Sequence, residues 1–101
     1  MNQTVYESLK NSTPLPIWKK MRVDGDFLII SNHHLEIHFL NSTAKDIVEL
    51  IGNNTIDQIC ELMLKMYDVE RTILQQDVLN TIRYLQWKQL IQLKKIDKIS
   101  H

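Results

Sequence analysis

The stretch Asp24-Gly25-Asp26 is a tight-turn signal between two apolar runs, and it constrains the fold more than any other feature of this chain. Glycine readily adopts the positive φ that a short turn between antiparallel strands requires, and an Asp-Gly pair is a strong hairpin signal. Residues 17–23 before the turn alternate approximately, and residues 27–30 after it form a continuous apolar run. The sequence therefore predicts two antiparallel strands joined at Gly25.

A third strand is predicted over residues 34–39, after a second turn at residues 31–33. Its side chains alternate strictly, with Leu35, Ile37 and Phe39 on one face and His34, Glu36 and His38 on the other. Such alternation is typical of a strand that packs one face on a hydrophobic core. We therefore predict a three-stranded antiparallel meander whose third strand contributes its apolar face to the core and to the floor of any pocket.

Two helices with clear boundary signals follow the strands. Asn41 or Ser42 can cap a helix that runs to Ile51, and the glycine after it closes the C-terminus. Thr55 and the glutamine three residues later form a capping box for a second helix that ends near residue 66. Both helices carry one apolar stripe, so each is predicted to pack one face on the sheet or on its neighbour.

The third helix carries apolar residues on more than one face. It starts at Asp68 or at a capping box of Thr72 and Gln75, and it ends between residues 88 and 91. The stripe that suffices for the core consists of Leu74, Val78, Ile82 and Leu85. A neighbouring stripe of mixed character consists of Ile73, Asp77, Thr81 and Tyr84. Either the sheet covers the mixed stripe, as is usual for aromatic residues, or it forms one wall of a groove.

This order of elements predicts an α+β domain, with a three-stranded antiparallel sheet followed by three helices, and 101 residues suffice for one core. Residues 1–16 are predicted to be a flexible N-terminal segment, because they are polar at first and then contain two prolines. The folded domain is expected over residues 17–93. Residues 94–101 are expected to form a charged C-terminal tail.

Composition excludes several classes of protein. Twelve basic and twelve acidic residues leave no net charge, which disfavours binding to nucleic acid or to an anionic membrane. Cys60 is the one cysteine, so an internal disulfide is impossible, and its apolar surroundings predict a buried thiol. Since neither a signal-peptide pattern nor an apolar run of about 18 residues is present, we expect a cytoplasmic protein.

The sequence offers little catalytic chemistry. His33, His34 and His38 cluster within six residues, but a closed metal site needs a further ligand, and none is evident. Cys60 has no histidine or basic residue close to it in sequence that would activate it as a nucleophile. A glycine-rich phosphate loop, a catalytic carboxylate pair and a nucleophile elbow are all missing. We therefore expect neither an enzyme nor a cofactor or metal site.

The third strand has the character of an exposed sheet edge. An edge presents unpaired backbone donors and acceptors, and natural edges are commonly protected by lysine or proline, which residues 34–39 lack. A peptide could therefore add to this strand and lie against the mixed stripe of the third helix. The alternatives are a solvated strand face without a partner and a homodimer formed through the same edge.

Several blocks of the sequence resemble one family when they are taken in order. They are Phe39-Leu40-Asn41-Ser42-Thr43-Ala44, a helix closed by Gly52, Thr55-Ile56-Asp57-Gln58-Ile59, Tyr67-Asp68-Val69-Glu70, and Asp77-Val78-Leu79. Together they resemble the PqqD-like peptide chaperones over roughly residues 17–93. Members of that family are small winged helix-turn-helix-like domains that recognise the leader segment of a ribosomally made precursor peptide.

The resemblance implies a non-catalytic function. The leader would add as a further strand along the third strand and pack against the third helix. A separate maturation enzyme, such as a radical S-adenosylmethionine protein, a cyclodehydratase or a lasso-peptide protease, would then modify the tethered peptide. The peptide-binding residues expected on this basis are His34, Leu35, Glu36, Ile37, His38, Phe39, Ile73, Asp77, Thr81 and Tyr84.

The chain departs from the family pattern at the end of the third helix. Family members commonly have a glycine before an apolar pair, whereas Trp87-Lys88-Gln89 precedes Leu90-Ile91 in this chain. A winged-helix DNA-binding regulator is the alternative function, because it has the same order of elements. However, the basic residues of the third helix are offset by Glu70 and Asp77, which counts against DNA binding.

Overall fold

The computed structural model describes residues 3–95. The elements in chain order are α1 (Gln3–Leu9), β1 (Ser12–Pro16), β2 (Lys20–Asp24), β3 (Phe27–Ser31), β4 (Ile37–Leu40), α2 (Ser42–Glu49), α3 (Ile56–Leu64), α4 (Arg71–Trp87) and β5 (Ile91–Lys95). Strands β2, β3 and β4 form a three-stranded antiparallel sheet in sequence order, and Gly25 takes a φ of 63° in its first turn. The predicted fold class, a three-stranded antiparallel sheet followed by three helices, is confirmed.

The third strand of this sheet, β4, is shorter than the sequence predicted. It begins at Ile37, and the three residues before Glu36 form a turn in which Leu35 has a φ of 68°. The buried side chain of Asn32 closes this turn, because its Oδ1 accepts hydrogen bonds from the backbone N–H groups of His34 and Glu36. The predicted strand over residues 34–39 is therefore wrong in its first half.

The predicted orientation of β4 is also wrong. Leu35, Ile37 and Phe39 are 73%, 61% and 73% exposed, so they do not build the core. The register of the sheet gives the reason: His38 lies opposite Ile30 and Leu40 lies opposite Leu28, and both of these β3 residues are fully buried. Since cross-strand partners share a face of the sheet, the even-numbered residues of β4 face the helices.

The start signals of α2 and α3 are confirmed. Asn41 caps α2 by accepting a hydrogen bond from the Ala44 N–H, and Thr55 and Gln58 form the complete capping box of α3. Helix α4 differs from the prediction, because it begins after Glu70 with no side-chain cap, while Gln75 is buried within the helix. The predicted capping box at the start of α4 is therefore wrong.

At the end of α4, Gln89 stands at the position before the apolar pair where the family pattern has a glycine. Gln89 follows the helix with a φ of 59°, and its N–H donates to the Gln86 carbonyl. The Leu90 N–H donates to the Leu85 carbonyl, which completes a Schellman motif. Gln89 thus adopts the left-handed conformation that glycine favours. The chain then turns into β5 with Leu90 and Ile91 both buried.

The folded chain begins before Ile17, where the sequence predicted no regular structure. Helix α1 precedes β1, and β1 pairs with β5 in a separate two-stranded antiparallel sheet. The Ile17 N–H donates to the Leu90 carbonyl, and hydrogen-bonded and non-hydrogen-bonded pairs alternate from there along β1 and β5. Pro14 and Pro16 fall at non-hydrogen-bonded pairs, so the N–H that proline lacks is not needed as a donor to β5. Lys94 and Lys95, predicted to be part of the tail, lie in β5. The rest of the predicted tail, residues 96–101, lies outside the described residues.

One hydrophobic core lies between the three-stranded sheet and the helices. The predicted core stripe of α4 is confirmed, because Leu74, Val78, Ile82 and Leu85 are at most 4% exposed. Cys60 is also buried, and burial raises the pKa of its thiol. Helix α1 adds Tyr6 to this core, where the ring is 3% exposed and the hydroxyl donates to Asp57 Oδ1 at 2.8 Å.

Tyr6→Phe is expected to lower the free energy of unfolding by about 1 kcal/mol, because it removes one partly buried hydrogen bond and keeps the aromatic ring in place. Urea unfolding followed by circular dichroism measures this difference. An unchanged unfolding midpoint would show that the bond between α1 and α3 adds nothing to the stability of the domain.

Candidate functional site

Strand β4 is an edge strand of the three-stranded sheet, and within residues 3–95 it pairs with β3 alone. The Asn32 N–H donates to the Glu36 carbonyl at 3.2 Å, and this pair continues the β3–β4 register. Hydrogen-bonded and non-hydrogen-bonded pairs alternate along an antiparallel ladder, so His38 also exchanges hydrogen bonds with β3. It follows that Ile37 and Phe39 turn their backbone N–H and C=O groups away from β3, toward the open side of the edge.

A groove runs beside this edge, between β4, the start of α2 and the second half of α4. Its volume is about 290 Å³, and its lining residues are Phe39, Leu40, Asn41, Ala44, Asn80, Thr81 and Tyr84. None of these side chains carries a charge at neutral pH. The groove therefore combines an apolar and aromatic lining with amide and hydroxyl groups.

Tyr84 forms the wall of the groove, and His38 on β4 holds it in place. The Tyr84 hydroxyl lies 3.0 Å from His38 Nδ1, and the two rings meet edge to face with centroids 5.9 Å apart. Tyr84 remains 39% exposed, so the sheet does not fully cover the mixed stripe of α4 at this residue. Of the two explanations that the sequence left open for this stripe, the structure favours an open groove at its C-terminal end.

Asn32 joins the sheet to the end of α4. Its Nδ2 donates to Glu36 Oε1 at 2.8 Å and to the Lys88 carbonyl at 2.9 Å, and its Oδ1 closes the turn before β4. The hydrogen bond from Asn32 is also the main reason why the pKa of the Glu36 carboxyl is lowered. This residue therefore sets the position of β4 relative to α4, although the sequence indicated only a turn.

The structure brings together some of the predicted site residues and separates others. Thr81, Tyr84 and Phe39 line the groove, and His38 contacts its wall. His34 lies in the turn, where its ring contacts the Gln89 side chain. Leu35 projects from the same turn, Glu36 pairs with Asn32, and Ile37 lies on the edge strand. Ile73 and Asp77 are exposed on the N-terminal half of α4 and do not line the groove.

Four groove residues were not predicted from the sequence: Leu40, Asn41, Ala44 and Asn80. Asn41 was recognised only as a helix cap, and Ala44 only as part of the apolar face of α2. Asn80 directly precedes Thr81 on α4. The helix face toward the groove is therefore rotated slightly from the predicted stripe, because it includes Asn80 as well as Thr81 and Tyr84. These residues meet only because α2 packs beside α4, which periodicity within a single helix does not report.

No group of three His, Cys, Asp or Glu side chains among residues 3–95 lies close enough to hold a metal ion. No helix in the same range is long and apolar enough to cross a membrane. The candidate functional site is the edge of β4 together with the groove beside it, on the geometry given above.

Comparisons with known proteins identify a family and a similar structure. The sequence model of a family described as coenzyme PQQ synthesis protein D (PqqD) matches residues 28–91, from the second residue of β3 to the first residue of β5. No curated protein matches the chain. Among solved structures, the chain is similar to TbiB1 in complex with the TbiA(beta) leader peptide, with a TM-score of 0.67 and 17% identity over 72% of this chain and 87% of that one. At this identity the likeness shows a shared fold.

Proposed function

The chain belongs to the PqqD family, and on this premise we propose that it is a non-catalytic protein that binds the leader segment of a ribosomally made precursor peptide. The family match spans β4, α2 and α4, the three elements that form the groove. The similarity to a leader-peptide complex supports the same class of ligand. The open edge of β4 directly beside the groove is the observation that carries the proposal.

In this proposal the leader adds to β4 as a fourth antiparallel or parallel strand. The outward backbone groups of Ile37 and Phe39 would pair with it, and these hydrogen bonds supply affinity without regard to leader sequence. Alternate side chains of an added strand point to opposite faces of the sheet. One set would therefore enter the groove toward Tyr84 and Thr81, where selectivity would arise.

The bound precursor would then be presented to a separate maturation enzyme in the cytoplasm. A radical S-adenosylmethionine protein, a cyclodehydratase or a lasso-peptide protease would fit this role. Holding the substrate near such an enzyme raises its effective concentration, so modest affinity for the leader is sufficient. The binding protein itself needs no catalytic group.

The proposal is tested by titrating this protein into two fluorescently labelled probes. One is the N-terminal segment of a candidate precursor peptide, taken from a short open reading frame next to the gene, and the other is a duplex of the upstream DNA. Fluorescence anisotropy is expected to show saturable binding of the peptide and none of the DNA at physiological salt. Saturable binding of the duplex together with an inert peptide would instead assign the chain to the DNA-binding alternative.

Tyr84→Ala is expected to weaken leader binding by about fivefold, because it removes the aromatic wall of the groove. Tyr84→Phe is the matched control, since it keeps the ring and removes only the exposed hydroxyl that contacts His38. The same anisotropy titration measures both variants. Equal affinity of Tyr84→Ala and the unaltered protein would place the leader away from α4.

Asp77→Ala extends this experiment along the helix. Asp77 is exposed about two turns before Tyr84 and does not line the groove. If this variant also weakens binding, the leader continues along the N-terminal half of α4 as the sequence predicted. If binding is unchanged, the contact ends with the groove.

A further inference from the structure

The outer face of the three-stranded sheet, which points away from the helices, is organised in rows. Cross-strand pairing places Arg22, Ile29 and Phe39 in one row across the three strands, and Lys20, Ser31 and Ile37 in the next. Each of these two rows has a cation on β2, while its β3 and β4 positions are apolar except for Ser31. The row at the hairpin end of the same face pairs Asp24 with Phe27. We call this surface the outer face; it is formed by Lys20, Arg22, Asp24, Phe27, Ile29, Ser31, Ile37 and Phe39.

Three of the four apolar side chains of the outer face are exposed. Phe27, Ile37 and Phe39 are 56%, 61% and 73% exposed, and a shallow cavity of about 550 Å³ lies over the adjoining rows. Contiguous exposed apolar surface on a small protein commonly marks an interaction site. No element among residues 3–95 covers it, because the helices pack on the opposite face.

The two cations of the outer face, Lys20 and Arg22, are not engaged in ion pairs in the part of the chain that the structure describes. Their side chains border the cavity beside Ile29 and Ile37. With Asp24 on the same strand face, the β2 side of the outer face carries a net charge of +1. A ligand that covered the rows of Lys20 and Arg22 would bring its flank close to these two cations, and carboxylates on that flank would complement them.

The size of the outer face limits what can cover it. Three strands with a spacing of about 4.8 Å and at most five residues each span roughly 15 Å by 15 Å. A stable protein–protein complex buries about 800 Å² on each partner, several times this area. A single helix, which is about 10 Å in diameter, matches the width of the sheet.

We propose that the outer face docks an amphipathic helix of a second protein, with the apolar stripe of that helix on β3 and β4 and its carboxylates over Lys20 and Arg22. Within the proposed function, on which this identification rests, the second protein is the maturation enzyme. A leader strand added to β4 would widen the sheet beside Ile37 and Phe39. The docked helix would then contact protein and leader together, which favours the loaded complex over the empty one.

The test uses two synthetic 18-residue helical peptides with the same leucine stripe, one flanked by glutamates and the other by lysines. Each is titrated into the ¹⁵N-labelled protein, and backbone amide shifts are followed by NMR. The glutamate peptide is expected to shift amides of β2 and β3 and to bind about fivefold more tightly than the lysine peptide. Arg22→Glu should reverse this preference. Arg83→Glu makes the same charge change on the exposed side of α4 and should leave it intact.

Four outcomes would overturn the proposal. They are equal affinity for the two peptides, shifts confined to the groove, self-association in sedimentation velocity that Arg22→Glu abolishes, and binding to phosphatidylglycerol vesicles that the same substitution removes. The last two would assign the outer face to a second copy or to a lipid surface. Titration of Arg22→Glu into the labelled leader distinguishes a failure of this proposal from a failure of the proposed function. Arg22 lies outside the groove, so leader affinity should not change.

Discussion

Ile37→Pro is expected to weaken leader binding by about tenfold or more while the domain remains folded, because it removes a hydrogen-bond donor from the open edge and blocks close approach of an added strand. The alternation along β4 directs the Ile37 N–H away from β3, so no hydrogen bond within the sheet is lost. Proline is tolerated on edge strands for this reason. Anisotropy titration with labelled leader measures the loss, and thermal unfolding followed by circular dichroism checks the fold.

Ile37→Ala is the matched control. It keeps the backbone N–H and shortens a side chain that is 61% exposed, so leader affinity should change by less than the proline variant changes it. His38→Pro gives the opposite contrast, because that N–H pairs with β3, and its loss should lower stability before it affects binding. If Ile37→Pro is folded and binds the leader normally, strand addition along β4 is excluded.

Asn32→Ala is expected to lower the free energy of unfolding by about 3 kcal/mol. The variant loses two hydrogen bonds that Nδ2 donates and two that Oδ1 accepts, and it leaves the Lys88 carbonyl without this donor. For a domain whose total stability is about 5–15 kcal/mol, this loss is severe. Urea unfolding at neutral pH measures it. Leader affinity should also fall in the folded fraction, since Asn32 positions β4 against the end of α4.

Asn53→Ala is the control, because Asn53 is exposed and replacing it removes no buried group.

The effect of Asn32→Ala should also depend on pH. Since Asn32 lowers the pKa of Glu36, this part of its contribution is present above the ordinary carboxyl range and is lost as the pH falls through the lowered value. The difference between variant and unaltered protein should therefore shrink in acid. A loss under 0.5 kcal/mol, about the ordinary effect of a surface substitution, would contradict the role assigned to Asn32.

Local signals in the sequence predicted much of the fold. The turn at Gly25, the cap at Asn41 and the capping box at Thr55 each depend on residues within a few positions of one another. The α4 core stripe follows from helical periodicity alone. Predictions failed where a distant partner decides the outcome: β1 is a strand because β5 pairs with it, and its prolines lie where that ladder needs no donor.

The residues of the candidate site also divide into those that a local pattern indicates and those that depend on a distant contact. Tyr84 and Thr81 were predicted from their position on α4, and both line the groove. The orientation of β4 was predicted wrongly, because alternation shows that two faces differ but does not show which face is buried. That choice depends on the register with Leu28 and Ile30, which are fully buried. The role of Asn32 depends on a carbonyl 56 residues away, which no local pattern indicates.

The sequence by itself determined the order of the elements from β2 to α4, the turn between β2 and β3, the starts of α2 and α3, the apolar stripe of α4 and the resemblance to the PqqD family. These properties depend on local backbone preferences and on periodicity, which are written in neighbouring residues. The tertiary structure decided which face of β4 is exposed, where the groove opens and how the two ends of the chain join. These depend on the packing of distant elements, because only register and side-chain burial select among the arrangements that local signals allow.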